Sequence, residues 1–158
     1  MNRSRSIAAS AAIAVLMSAA PGLAAQEATA VAEPALATAF DDAGLQWGPC
    51  PAFMPEGCAI AVLHGDPARP NADLFFKVPG GAIIASHTHT SAERMVLVSG
   101  KMDVTYEGQD TATLTPGMYA YGPAGRPHDA RCAEGPPCVL FIAFEAPVDA
   151  VPVAVPAD

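Results

Sequence analysis

The segment GAIIASHTHTSAERMVLVSG, residues 81–100, has the most specific spacing in the chain and holds three residues able to bind a metal together, His87, His89 and Glu93. His87 and His89 lie two positions apart in a strand-like run, so both side chains project from the same face of the pleat. Glu93 follows the short turn TSA and begins the next run of β-forming residues, which can return it to the same place. Two neutral imidazoles and one carboxylate on one face form a suitable site for a divalent metal.

A second segment, GMYAYGPAGRPH at residues 117–128, ends on the histidine that completes this set, His128. An HxH pair alone is a weak signal, because two exposed histidines on a solvated face are more common than a metal site. The longer pattern is more specific, since one residue separates His87 from His89 and three residues separate His89 from Glu93. The four side chains are therefore candidate ligands of one metal.

Short runs rich in Val, Ile, Leu, Phe and Tyr fill the central part of the chain and alternate with turns that contain Gly or Pro. Runs of this length, with turn signals roughly every 8 to 12 residues, are typical of an all-β sandwich or barrel. No helical period is sustained along the chain. The pattern predicts strands at 59–63, 73–78, 82–87, 93–99, 101–107, 110–114, 118–121 and 139–145.

The two segments closely resemble the two signature motifs of the cupin superfamily, and the sixteen residues between Gly100 and Gly117 are similar to the intermotif stretch of short bacterial cupins. The resemblance covers about residues 45–146. It implies a double-stranded β-helix of the jelly-roll type, a barrel that holds a metal. Carried over position by position, the resemblance implies these metal ligands: His87, His89, Glu93 and His128.

The two ends of the chain differ in composition from this central part. Residues 1–25 have Arg3 and Arg5, an apolar Ala-rich run and then small residues, which is the layout of a secretory signal peptide. Residues 26–44 are interpreted as a flexible linker, residues 45–146 as the cupin β-barrel, and residues 147–158 as a flexible C-terminal tail. The signal predicts a periplasmic or secreted protein.

The cysteines form two close pairs, Cys50 with Cys58 and Cys132 with Cys138. Neither pair has the two-residue gap usual in zinc sites, and an exported protein favours oxidation, so we expect two local disulfides. The cupin second motif usually ends with Asn three residues after its histidine, whereas this sequence has DAR and then Cys132. In a second interpretation, Cys132 is a free thiol that points inward near the metal.

The chain has 8 basic and 16 acidic residues and a formal net charge of −8. Without Arg3 and Arg5 the count is 6 against 16, which gives −10. An acidic surface repels phosphate backbones and anionic lipid, so neither nucleic acid nor a membrane surface is an expected partner. The expected partner is a small molecule, and an exposed sheet edge also permits a homodimer.

Three imidazoles and one carboxylate leave open positions on a metal that prefers six ligands. Fe, Mn, Ni, Co, Zn and Cu all suit this donor set, and the sequence does not choose among them. The resemblance implies first a dioxygenase-like oxidoreductase that acts on a small enolic or aromatic compound. In this hypothesis Glu93 can also serve as a base.

Two other functions agree with the same residues. One is a lyase or isomerase that needs no O₂ and takes its general base from Tyr119 or Tyr121, of which Tyr121 is the preferred candidate. The alternative role for both tyrosines is packing in the core. The other is a periplasmic small-molecule-binding protein without turnover. Any of these functions needs a pocket, and the expected apolar lining is Met95, Leu97, Phe75, Phe76 and Phe141.

Overall fold

The computed structural model describes residues 33–154, and all of its strands lie in one compact unit that begins at Ala37. Within the described part, no helix is long and apolar enough to cross a membrane. The eleven strands are β1 Trp47–Pro49, β2 Ala59–His64, β3 Ala72–Val78, β4 Ile83–Thr88, β5 Glu93–Ser99, β6 Met102–Tyr106, β7 Ala112–Leu114, β8 Tyr119–Gly122, β9 His128–Cys132, β10 Cys138–Phe144 and β11 Val151–Pro152.

The strands form two antiparallel sheets that pack on each other. One has six strands in the order β1-β2-β3-β10-β5-β8, and the other has five in the order β11-β4-β9-β6-β7. Neighbours in a sheet are often distant in sequence, as where β10 inserts between β3 and β5. This arrangement confirms the predicted all-β fold of the double-stranded β-helix, jelly-roll type.

Alternation of inward and outward side chains builds the core. On β3 the inward positions include Leu74 and Phe76, whereas Phe75 lies on the opposite face of the strand and forms an edge-to-face pair with Phe141, 6.5 Å between ring centroids. The prediction that Phe75 and Phe141 line the pocket is therefore wrong, because both have the outward strand phase. Buried core residues include Leu74, Ile84, Met95, Leu97, Met102, Val104, Leu114, Leu140, Ile142 and Phe144.

The segment after β10 differs from the flexible tail expected at residues 147–158. Val151 and Pro152 form β11 and pair with Thr88 and His87 of β4, and the backbone N–H of Val148 donates to the carbonyl of Pro67. We call residues 146–153 the C-terminal strap. Residues 155–158 lie outside the described residues, as does the predicted signal peptide at 1–25.

Both expected disulfides are present. Cys50–Cys58 closes the loop between β1 and β2, and Cys132–Cys138 joins the end of β9 to the start of β10. No free cysteine occurs in the described part of the chain, which excludes the interpretation of Cys132 as an inward thiol. Two disulfides in so small a unit favour an oxidising environment.

The two disulfides close loops of similar length, so loop entropy stabilises the protein by a similar amount at each, about 2 kcal/mol. Cys132 and Cys138 are also fully buried, with 0% exposure. We expect the paired Cys132→Ala and Cys138→Ala substitutions to lower the free energy of unfolding by more than the Cys50→Ala and Cys58→Ala pair, since they also leave a cavity. Urea denaturation of the two double variants measures the difference. Equal losses would show that burial of the sulfurs adds nothing.

Candidate metal centre

Three side chains stand in a row across the five-stranded sheet. His87 of β4 is opposite His128 of β9, and His128 is in turn opposite Tyr106 of β6. His89 directly follows β4, and because it is two residues from His87, it points to the same side. The sheet thus presents three imidazoles and one phenol to the interior of the barrel.

A second row on the six-stranded sheet contains Glu93 at the start of β5. Its partners in the register are Gly122 of β8 and Phe144 of β10. Glu93 is 3% exposed, and its Oε1 lies 3.3 Å from Nε2 of His89. Its Oε2 lies 3.6 Å from Nε2 of His128. The carboxylate of one sheet therefore meets the imidazoles of the other.

The three histidines are close enough to share one metal ion. One ring nitrogen from each lies within 4.8 Å of the others, and all three residues are buried. Their ring centroids are 4.3 Å apart for His87 and His128, and 4.8 Å apart for His87 and His89. This geometry matches a three-nitrogen ligand set, with Glu93 beside it as an oxygen donor.

Hydrogen bonds to the backbone orient each imidazole. His87 and His128 each donate from Nδ1 to the carbonyl two residues earlier, at 2.8 Å and 3.1 Å. His89 donates from Nδ1 to the carbonyl of Asp149 in the C-terminal strap. Because a carbonyl only accepts, the proton of each neutral ring resides on Nδ1 and leaves the lone pair of Nε2 free to bind a metal.

Two buried oxygen atoms at the centre are unsatisfied. Glu93 Oε2 and the Tyr106 hydroxyl have no hydrogen-bond partner among the described residues. A Cβ at Gly122 would lie 2.8 Å from the Tyr106 hydroxyl and 3.1 Å from Glu93 Oε2, so both oxygens occupy the space that the glycine leaves. Orphaned buried oxygens are costly, and a cation or a ligand would satisfy them. The residues present therefore fit a bound divalent metal.

Burial decides the charge states of the metal-free cluster. It lowers the pKa of His87, and it lowers the pKa of His89 and of His128 to about 4. Burial also raises the pKa of Glu93 to about 8, with a smaller contribution from the charge of Asp149. Neutral imidazoles are the form that binds metal, whereas Glu93 gains its charge most readily when a cation is next to it.

A cavity of about 230 Å³ opens beside the cluster. Apart from the cluster and Tyr106, its walls are mainly aliphatic and aromatic, and they include Phe76 and Met95 as predicted. The disulfide loop of residues 50–58 contributes Cys50 and Met54 to the lining, and the C-terminal strap contributes residues 148–150. The cavity is smaller than the roughly 300–1,000 Å³ typical of drug-sized ligands, so it suits a compact molecule.

The tyrosines expected near the metal lie elsewhere. Tyr119 is 59% exposed and Tyr121 is 52% exposed, because the inward positions of β8 are Ala120 and Gly122. Tyr121 therefore does not reach the cluster, and neither tyrosine packs in the core. The tyrosine that lies beside the cluster is Tyr106, whose ring centroid is 4.9 Å from that of His128.

Metal analysis tests the histidine cluster directly. We expect about one divalent transition metal per chain in the wild-type protein and its loss in the His87→Ala and His128→Ala variants, since each removes one of three converging nitrogens. His64→Ala is the matched control, because His64 is exposed at the end of β2 and does not line the cavity. Elemental mass spectrometry of the purified proteins measures the ratio. Equal metal in all four proteins would contradict this site.

The pKa of Glu93 predicts how metal-free stability depends on pH. Its folded pKa of about 8 is above its ordinary value of 4.5, so the stability that it contributes is present below pH 4.5 and is lost as pH rises towards 8. We expect Glu93→Gln to raise the unfolding free energy of the metal-free protein at about pH 8, on the order of 2 kcal/mol, because the amide stays neutral.

Urea denaturation after chelation measures this effect at about pH 5 and pH 8. The contribution of the histidines to the free energy of unfolding has the opposite pH dependence, because it is lost as pH falls below 6.5. This loss is expected to be equal in wild type and in Glu93→Gln. The same Glu93→Gln variant should show a smaller stabilisation by added Zn²⁺, because it lacks the carboxylate charge. If Glu93→Gln is less stable than wild type at about pH 8, then the Glu93 carboxylate is not buried without a partner in the metal-free protein.

Comparison with known proteins agrees with this structure. Residues 74–144 match the family model described as Cupin domain. No curated protein matches the chain. Among solved structures, DMSP lyase DddQ from Ruegeria pomeroyi DSS-3 is 20% identical with a TM-score of 0.60, over 72% of this chain and 64% of that one.

Two other solved structures are similar. Polyketide cyclase RemF from Streptomyces resistomycificus is 17% identical with a TM-score of 0.61, over 78% of this chain and 89% of that one. KdgF from Halomonas sp. is 21% identical with a TM-score of 0.53, over 63% of this chain and 87% of that one. The chain spans less than two thirds of the two DMSP lyase structures, 64% and 63% of their lengths. At such identities the likeness shows the fold alone, and the part of the chain that matches the Cupin domain model is the central part of the barrel, residues 74–144.

Proposed function

We propose that this protein is a metal-dependent lyase or isomerase that acts on a small compound with an oxygen-bearing end and an apolar body. The observation that carries the proposal is the pair of orphaned oxygens, Glu93 Oε2 and the Tyr106 hydroxyl, buried beside three converging imidazoles at one cavity. Proton donors and acceptors that lie beside a cation can stabilise the negative charge that develops on a substrate oxygen during a reaction.

His87, His89, His128 and Glu93 would hold the metal. When bound, the metal would bind a substrate oxygen and stabilise the negative charge that develops there. Tyr106 would supply the proton that the reaction needs. Burial raises the pKa of its phenol, with Glu93 adding to the effect, so the hydroxyl keeps its proton at neutral pH. A raised pKa makes the phenol a weaker acid, but the positive charge of a bound metal would lower that pKa and make the hydroxyl a suitable general acid.

The cavity walls favour an apolar body for the substrate. Leu74, Phe76, Ile84, Leu140 and Ile142 are among the residues that line the cavity, and apolar walls of this kind exclude water. A sugar would leave several hydroxyls without partners against such walls, which is costly. The proposed substrate is thus a compact aliphatic or aromatic compound.

The dioxygenase hypothesis stays a prediction, and two features favour the non-oxidative reaction over it. First, Tyr106 supplies a positioned proton donor that an acid–base reaction needs. Second, Met95 and Met102 line the same cavity, and thioethers are readily oxidised next to reactive oxygen. The solved structures of similar fold also include DMSP lyases and a polyketide cyclase, and lyase is one of the two proposed reaction classes.

The proposed reaction takes place outside the cytoplasm. The two disulfides support an oxidising environment, and the predicted signal peptide at residues 1–25 supports export.

Substitution of Tyr106 tests the proposed acid. We expect Tyr106→Phe to lower kcat roughly 100-fold or more and to leave the metal content unchanged, because the phenol hydroxyl donates a proton but does not hold the metal. Tyr121→Phe removes the same hydroxyl from the exposed face of β8 and is the matched control, with activity expected to be that of wild type.

The assay uses metal-loaded protein and a panel of small carbonyl compounds and carboxylic acids, under nitrogen and in air, with products identified by mass spectrometry. Equal turnover in both atmospheres is expected. Turnover that occurs only in air, with matching oxygen uptake, would instead establish the dioxygenase. Tight binding of panel compounds without any product would leave the protein a small-molecule-binding cupin.

A further inference from the structure

The three histidines of the cluster are oriented in two different ways. His87 and His128 each donate from Nδ1 to the carbonyl two residues earlier, so the local conformation of the chain supplies the acceptor. His89 instead donates to the carbonyl of Asp149, sixty residues later in the sequence. The orientation of this one imidazole therefore depends on whether the C-terminal strap is in place.

The backbone of His89 is held independently of the strap. Its carbonyl accepts the N–H of Gly125 at 2.8 Å, in the loop that leads to β9. The ring, in contrast, takes its hydrogen bond from the strap. Displacement of the strap would thus leave the backbone of His89 in position and remove the bond that keeps the ring proton on Nδ1.

One buried hydroxyl ties the start of the strap to the turn that carries His89. Ser91 lies in that turn and is 2% exposed. Its Oγ accepts the backbone N–H groups of Glu145 and Ala146, both at 2.9 Å, and its O–H donates to the carbonyl of Ala92 at 2.7 Å. A hydroxyl has one proton and two lone pairs, so these three bonds use all of its bonding capacity.

The position of this anchor distinguishes it from the other contacts of the strap. The bond from the Thr90 N–H to Oδ1 of Asp149 is exposed to water, whereas the Ser91 side chain is shielded from it. Loss of the Ser91 oxygen would leave two backbone N–H groups without their acceptor, which is costly. Ser91 does not line the cavity, so its hydroxyl acts on the strap and not on a ligand.

We propose that Ser91 is a positioning residue of the metal centre, which acts through the C-terminal strap to hold the His89 imidazole in the tautomer that presents Nε2 to a metal. The inference rests on the metal centre of the proposed function and adds to it a residue that contacts neither metal nor substrate. Indirect partners of this kind change metal affinity about 10- to 100-fold. Loss of the Ser91 hydroxyl therefore acts on one imidazole of the three.

Nitrogen NMR on the metal-free, full-length protein with isotopically labelled histidine tests the tautomer, because protonated and unprotonated ring nitrogens have different chemical shifts. We expect a single Nδ1–H tautomer at all three cluster histidines in wild type, and mixed tautomers at His89 alone in Ser91→Ala. Ser99→Ala is the matched control. The Ser99 hydroxyl donates to the carbonyl of Pro137 at the opposite end of β5, so this variant should give the wild-type spectrum.

A second variant breaks the same anchor from the side of the strap. Ala146→Pro removes one of the two N–H donors to the Ser91 Oγ and leaves Ser91 itself in place. It is expected to give the same mixed tautomers at His89. This variant keeps the inference testable if Ser91→Ala does not fold.

The affinity for Zn²⁺, measured by competition with a coloured chelator, gives the consequence for the metal centre. We expect Ser91→Ala to weaken Zn²⁺ binding roughly tenfold or more. In a His89→Ala background the same change should have no further effect, because the strap then has no imidazole to hold. A general loss of stability would instead lower the affinity equally in both backgrounds.

An unchanged His89 tautomer in the folded variants would overturn the inference, and so would mixed tautomers at all three histidines or equal losses of affinity in the two backgrounds. The proposed function fails separately. If wild type does not bind Zn²⁺ but the His89 tautomer still depends on Ser91, the metal-dependent reaction is excluded and the control of the imidazole by Ser91 stands. If Zn²⁺ binds and the tautomer does not change, the role of Ser91 is excluded and the metal centre stands.

Discussion

The site depends on the apposition of two rows of side chains, one from each sheet. His87, His128 and Tyr106 come from adjacent strands of one sheet, and Glu93 faces them from the other. A shift of one residue in the register of any of these strands would turn its polar group to solvent, because side chains alternate along a strand. The apolar residues of the same strands fix the register. Val104 and Ala130 are two positions from Tyr106 and His128 and are buried on the same face, whereas an irregularity in β4 between Ile84 and His87 lets both of those residues line the cavity. The hydrophobic core thereby positions the chemistry.

This apposition has a cost in stability. Three imidazoles, a carboxyl group and a phenol are removed from water, and only the Nδ1 protons of the imidazoles receive full compensation from backbone carbonyls. The orphaned oxygens of Glu93 and Tyr106 are the part that remains uncompensated within the described chain. Natural folds depart from full satisfaction mainly at functional sites, where a ligand completes the arrangement. The unsatisfied pair thus marks the site as firmly as the histidine spacing does.

Local alternation could predict the all-β fold, because it is a property of neighbouring residues, and the resemblance of two segments to the cupin motifs implied the four-residue cluster. Local patterns could not predict β9, whose inward residues are His128, Ala130 and Cys132, none a strong strand former. Local patterns also could not predict the ordered C-terminal strap, because its Pro and Ala residues resemble a linker. Its contacts are with residues about sixty positions earlier, as between Asp149 and His89. No local signal encodes such contacts.

The prediction that Tyr119 or Tyr121 faces the interior is wrong, because both lie on the outward face of β8. Aromatic residues usually fill the interior, yet β8 buries Gly122 and exposes Tyr121 because Tyr106 already occupies the space opposite. A signal for Tyr106 did exist, since it continues the inward phase of Met102 and Val104 along β6. The strand phase of β8 depends on what faces it across the barrel, and this is information that one strand does not contain.

Gly122 has a consequence for how such a site can be lost or changed in evolution. The residue contributes no ligand and no proton, but any side chain there would compete for room with the Tyr106 hydroxyl and with Glu93. A descendant chain could keep every histidine of the cluster and still forfeit the phenol through a single added methyl group. A comparison of the histidines alone would class both chains as the same protein, although only one of them would keep the phenol beside the cluster.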